Sequence, residues 1–227
     1  MDGPLPLPGR GPNVVVVTVR AGLACCAAAT LLTGCTQWVA GAPLRAVGEP
    51  PYQPAGVVDV DQVLLSQDQM RAITGTGQDL TIIPSMDGKS PVDIEDLANA
   101  VSPECRFVFA ETTTFGTDVE DFHKTTYQSP PRVLISEGAA AYRDAGSARR
   151  VFDTLSAAAG RCADSSDGAM LVGEVEAAAD RLRTRPGACG RDYRLKGPVV
   201  VEVTFCGLAD SVSDIVMTNI LKRIPGG

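Results

Sequence analysis

Seven cysteines, one histidine and a few close carboxylate pairs are the residues of this 227-residue chain whose types and spacing invite a chemical reading. Thiols can ligate zinc, act as nucleophiles, carry lipid or pair as disulfides. Zinc ligands come as closely spaced pairs such as C-x2-C, and Cys105, Cys162, Cys189 and Cys206 contain none. No metal site is expected. His123 is the sole histidine, so a Ser-His-Asp relay would have to use it, yet the chain has no G-x-S-x-G elbow. Its surroundings, EDFHKTTY, predict an exposed strand and a solvated ring. Glu120-Asp121 and the pair Glu174 and Glu176 have the residue types of glycosidase acid/base chemistry. Adjacent charges more commonly form a solvated face. Arg143, Arg149 and Arg150, in RDAGSARR, fall near a helix start, where an anion is favoured, but surface arginines explain them more simply. H-E-x-x-H, the Walker A loop and G-x-G-x-x-G are absent. The glycine-rich TGTGQ, residues 74–78, precedes a strand and reads as a helix-end turn. No catalytic residue and no cofactor are expected.

Cys35 is set apart by what precedes it. Residues 21–32 form an apolar run of about a dozen residues, too short for the ~20 that a spanning helix needs. Arg10 and Arg20 flank it, and it ends in Leu32-Thr33-Gly34-Cys35. This is the layout of a secretory signal, and the last four residues resemble the bacterial lipobox, in which the cysteine is acylated and the peptide cut before it. Residues 1–34 are therefore expected to be a lipoprotein signal peptide, with a translation start nearer residues 15–19 as one account of its long leader. Two or three acyl chains on Cys35 would give durable membrane anchoring, where one chain holds only marginally. Residues 35–56, rich in Pro, Gly and Ala, read as a tether, extending at about 3.1 Å per residue where Pro-rich. Trp38, the only tryptophan, is expected to be a solvated linker residue.

Removing Cys25 and Cys26 with the signal, and setting Cys35 aside for lipid, leaves four cysteines. An even remainder in an exported chain reads as a disulfide framework with three possible pairings. Lys196-Gly197-Pro198 is a turn between two strand-like runs, and a hairpin centred between Gly197 and Pro198 sets Cys189 opposite Cys206. Facing residues of an antiparallel pair are about 4.5–5.5 Å apart, within disulfide range. Cys105 and Cys162 pair by elimination.

The elements that must position these residues follow from pattern. Ser66-Gln67-Asp68-Gln69 spells a capping box ahead of a helix over residues 66–74, stopped by Gly75. DLTIIPS is a strand candidate; Asp93 is a candidate cap for a helix over residues 94–100. Strands are predicted over residues 105–115, 122–128 and 132–137. Residues 147–162 carry a helical apolar stripe that includes Phe152, Leu155 and Cys162, so a bridge to Cys105 would staple this helix to a strand. AMLVGEVE and DRLRTRP fit helix or strand. A hairpin over residues 192–206 and an amphipathic helix over 210–224, with Val212, Ile215, Val216, Ile220 and Ile224 on one face, close the chain. Without a regular βαβ rhythm, the fold class is α+β: an antiparallel β-sheet with helices packed on it and two disulfides. Aromatics are 5% of residues, so Val, Leu, Ile and Ala must fill the core. A net charge of −7 repels phosphate backbones and argues against nucleic acid as a partner.

Residues 57–227 also carry a resemblance. LLSQDQMRAITG, SPECRFVF, the SARRVFDTL helix leading to Cys162, the CGRDYRLKGPVVVEVTFC hairpin and the terminal LKRIPGG occur in an order similar to the extracellular sensor domain of PknH-type receptor kinases. With the lipobox and tether, the chain resembles a mycobacterial sensor-domain lipoprotein. The resemblance implies a helix-flanked antiparallel sheet, two intramolecular disulfides, a groove for an unidentified ligand and no catalytic residues. That family often has tryptophan three residues before the helix cysteine, where this chain has Ala159. No kinase domain or spanning helix is expected, so the chain would not pass a signal inward by itself. The expectation is a cell-envelope lipoprotein, held on the extracytoplasmic face of the plasma membrane by lipid on Cys35. Its sensor-like domain would bind an envelope ligand or protein partner in a groove whose lining is unassigned. The alternatives are an envelope hydrolase using acidic residues and a structural protein-docking lipoprotein.

Overall fold

A computed structural model describes residues 57–226. The signal segment, Cys35, the tether and Trp38 lie outside the described residues.

The helix α1 (Val60–Val63) is capped by Asp59, whose side chain accepts from the Asp61 amide. In α2 (Gln67–Thr74), Ser66 and Gln69 exchange side-chain and backbone bonds in the expected capping box, and Gly75 ends the helix at φ 70°. This left-handed position carries no Cβ penalty for glycine. After β1 (Thr81–Gly88) come α3 (Glu95–Ala100), a 3-10 turn over Pro103–Val108 and α4 (Glu111–Phe115). The hairpin β2 (Asp121–Ser129) and β3 (Val133–Ala141) leads to α5 (Ala145–Ala163), whose cap Asp144 accepts from the Ser147 amide at 2.7 Å. The ambiguous segments resolve as a short α6 (Gly168–Leu171), β4 (Glu174–Ala177) and β5 (Arg181–Arg185). The chain closes with β6 (Cys189–Lys196), β7 (Val199–Cys206) and α7 (Asp210–Arg223).

The seven strands among the described residues form one antiparallel sheet in the order β1-β2-β3-β7-β6-β5-β4. The β-branched VVVEVTFC strand takes its centre. On one face, α1, α2 and α7 pack through Met70, Val216 and Ile220 against Ile135, Val201 and Phe205. On the other, α5 places Phe152 and Leu155 over Phe122, Tyr193 and Val200. Cys189 and Cys206 are register partners joined by a disulfide, and Cys105–Cys162 is the second bridge. Within the described residues, the sheet, the two apolar clusters and the two bridges pack together.

Several expectations are corrected. Residues 105–115 are not a strand. Pro103 opens the 3-10 turn, with bonds from the Cys105 amide to Ser102 O and the Phe109 amide to Arg106 O. The Thr114 hydroxyl then donates to Phe107 O at 2.8 Å, holding α4 against that turn. The Cys105–Cys162 bridge thus staples α5 to a turn instead of a strand. Asp93 does not cap α3; Ile94 occupies that position, while the Asp93 carboxylate accepts from the Thr112 amide at 2.9 Å. Strand β3 runs on to Ala141, because its small Ala139, Ala140 and Ala141 fit between β2 and the valines of β7. Ile215 is exposed, since Ser213 and Met217 share the buried face of α7 with Val216 and Ile220.

Candidate ligand-binding groove

On the α5 side, side chains of the central strands stand in cross-strand rows. The row Phe122–Ala140–Val200–Leu195 lies in the core with α5. The next rows are not sealed by that helix. One runs Lys124–Gly138–Glu202 and the other Thr126–Ser136–Thr204–Arg191. Six of these residues floor a groove of about 450 Å³, with Leu134 and Cys206 beyond them. That volume lies in the range of small-molecule sites. The 3-10 turn supplies one wall through Phe107, Val108 and Phe109, and the other comes from β1 and the segment leading into α3. Met86, Val92, Ile94 and Leu97 ring the opening. They are four of the seven large apolar side chains exposed among the described residues, so most of that exposure is concentrated at one place.

Gly138 makes the charged row feasible. A Cβ there would meet Lys124 Cγ at 3.3 Å, so the lysine stem lies across the bare glycine backbone. Its Nζ reaches Glu202 Oε2 at 3.1 Å and Glu111 Oε1 at 3.0 Å. The Thr204 hydroxyl donates to Glu202 Oε1 at 2.6 Å, and Arg191 Nη1 donates to Val108 O at 2.9 Å. Burial works against the Lys124 charge, but Glu202 and Glu111 outweigh it and move its titration upward. Burial likewise opposes the Glu202 charge, and Lys124 and Arg191 hold that carboxyl below its ordinary value. Lys124 is thus paired with both carboxylates, while Arg191, bonded to the Val108 carbonyl, is balanced by Glu202 and Glu111 only through space. Thr126 Oγ1 is buried without a hydrogen-bond partner, in a residue that is 1% exposed.

The residues singled out for chemistry lie elsewhere and do not converge. His123 is on the opposite sheet face from Lys124 and is not freely solvated: its side chain is 20% exposed. Nδ1 lies 2.8 Å from Asp61 Oδ1 and Nε2 lies 3.0 Å from Asp87 Oδ1, so both ring nitrogens face carboxylates. Lys89 contributes most to depressing the Asp61 carboxyl, and the His123 bond does so at Asp87. Asp121 accepts from the Val60 amide at 2.9 Å, while Glu120 lies 3.7 Å from Arg143. Glu174 and Glu176 are exposed on β4. Arg149 is within 3.6 Å of Asp153, and Arg150 donates to the Ser147 hydroxyl. The TGTGQ segment is a turn, with Gly75 and Gly77 both at positive φ. No cluster of three or more metal-ligating side chains occurs among the described residues.

Sequence reasoning missed Lys124, Thr126, Ser136, Arg191, Glu202 and Thr204. A signal was available in VVVEVTFC: alternate positions of an apolar central strand turn polar at Glu202 and Thr204, marking where the covered face opens.

The comparisons agree with this architecture. The crystal structure of the extracellular domain of PknH from Mycobacterium tuberculosis superposes with a TM-score of 0.54 at 15% identity, covering 74% of this chain and 96% of that one. At that identity the likeness concerns the fold. No curated protein matches by sequence. The family model described as the PknH-like extracellular domain matches residues 57–222, and the chain belongs to that family.

Proposed function

We propose that the chain is a cell-envelope lipoprotein, anchored through lipid on Cys35 to the extracytoplasmic face of the plasma membrane. Its domain acts as a non-catalytic, sensor-like module that takes a ligand in the groove. The observation that carries this reading is a concave sheet face ringed by exposed apolar side chains over a floor whose charges are matched internally. Family membership supports the extracytoplasmic placement, and the lipobox spelling at residues 32–35 supports the anchor. Dispersal of His123 and the acidic pairs over separate surfaces supports binding over hydrolysis.

The test is native mass spectrometry of oxidised residues 53–227 recovered from an envelope extract without denaturant, as wild type and as Leu97→Asp. A stoichiometric extra mass on the wild type, lost in the variant, is expected. The same mass on both proteins would place the ligand outside the groove. Apo masses from both would favour a protein-docking role.

A further inference from the structure

We infer that the groove takes an uncharged amphiphile, with a hydroxyl- or ester-bearing head group on the sheet floor and a hydrocarbon chain along the rim. The inference rests on the groove being the binding site, as proposed above, and adds the chemistry of its occupant.

The rim calls for hydrocarbon. Met86, Val92, Ile94 and Leu97 are 46%, 60%, 51% and 45% exposed, and covering them removes apolar surface from water. The floor disfavours a charged head. An anion would enter beside Glu111 and Glu202, and a cation beside Lys124 and Arg191. Either would compete for the Lys124 pairs at 3.0 and 3.1 Å, leaving a largely buried charge without its partner, and an anion at Arg191 would also meet the field of Glu202 and Glu111. The remaining capacity of the floor is neutral. Thr126 Oγ1 is buried without a partner, while the neighbouring Thr204 hydroxyl is committed to Glu202. An unsatisfied buried hydroxyl keeps its desolvation penalty until something bonds it. Thr126 lines the groove, so a turn of its hydroxyl toward a ligand hydroxyl or ester oxygen supplies that bond without disturbing the charged row.

The experiment titrates oxidised residues 53–227 with three dodecyl-chain probes below their micelle concentrations: monolauroylglycerol, dodecanoate and dodecyltrimethylammonium. The neutral probe is expected to bind about tenfold more tightly than either charged one. Thr126→Val is expected to weaken it about tenfold, the scale of one hydrogen bond, without lowering the melting temperature. Leu97→Asp is expected to abolish binding. Equal affinity for all three probes, lost in Leu97→Asp, overturns the head-group inference and leaves the groove as the site. So does an unchanged affinity in Thr126→Val. Binding that survives Leu97→Asp overturns the groove itself. Failure of all three probes overturns the amphiphile class, and the extract measurement then decides the groove independently.

Discussion

Replacing Glu137 with glutamine should flatten the pH dependence of stability of this domain between pH 5 and 8. Glu137 stands on β3 facing the α1–α2 segment and is fully buried. Its Oε2 accepts from the Leu65 amide at 3.0 Å and its Oε1 from the Tyr127 hydroxyl at 3.3 Å. Burial raises its carboxyl from an ordinary 4.5 to about 7, against the opposing pull of the Leu65 amide, the Tyr127 hydroxyl and the Arg223 charge. The folded state therefore binds more protons than the unfolded state between those values. The stabilisation is complete below pH 4.5 and is lost as pH rises through 7. The full loss is about 3 kcal/mol, of which about 2.5 kcal/mol falls between pH 5 and 8. Glutamine keeps an acceptor for Leu65 and an N–H for Tyr127, and it does not titrate. Urea unfolding of both proteins at pH 5, 6, 7 and 8 measures the gap, and taking the difference cancels the other titrating groups they share. The gap should shift in favour of glutamine by about 2.5 kcal/mol across the series. A gap that moves by less than ~1 kcal/mol would refute the claim that burial dominates this carboxyl.

Breaking the Cys105–Cys162 bridge, with a sequence separation of 57, should cost about 4 kcal/mol by loop entropy, against about 3 for Cys189–Cys206 with 17; urea midpoints of the two double-alanine variants test the order. Lys124→Met leaves Glu202 facing the groove without its ammonium and should destabilise by about 3 kcal/mol, and adding Glu202→Gln should recover much of that loss. Thermal melts of the single and double variants would contradict this if the two losses simply added. Cys35→Ala should move the protein from the membrane fraction to the soluble fraction, and retention in membranes would count against lipid anchoring there.

Local punctuation was the most readable part of this chain. Ser66 and Gln69 announce α2, Gly75 ends it, and Gly197-Pro198 with equidistant cysteines sets the β6–β7 register. Each of these signals lies within a few residues of the structure it determines. Residues 105–115 were misread because CRFVFAETTTF suits a strand by composition, whereas its conformation depends on Pro103 and on contacts such as Asp93 to Thr112, 19 residues away. The groove was illegible for the same reason on a larger scale. Lys124 and Glu202 are 78 residues apart, and nothing local marks them as partners. Their meeting requires β7 to pair with β3, bringing both residues onto a row in which Gly138 provides clearance.

The central position of β7 also sets the order in which the domain can be completed. The strand that joins the two halves of the sheet is the last one synthesised. Without it, no strand pairing joins β1–β3 to β4–β6, and each half is left with the edge that β7 occupies. Such edges recruit strands from other chains, and non-local pairings of this kind form slowly. Truncation before Val199 would therefore leave one chain with two unjoined, sticky half-sheets instead of a smaller domain. Completion of the sheet thus waits on residues 199–206.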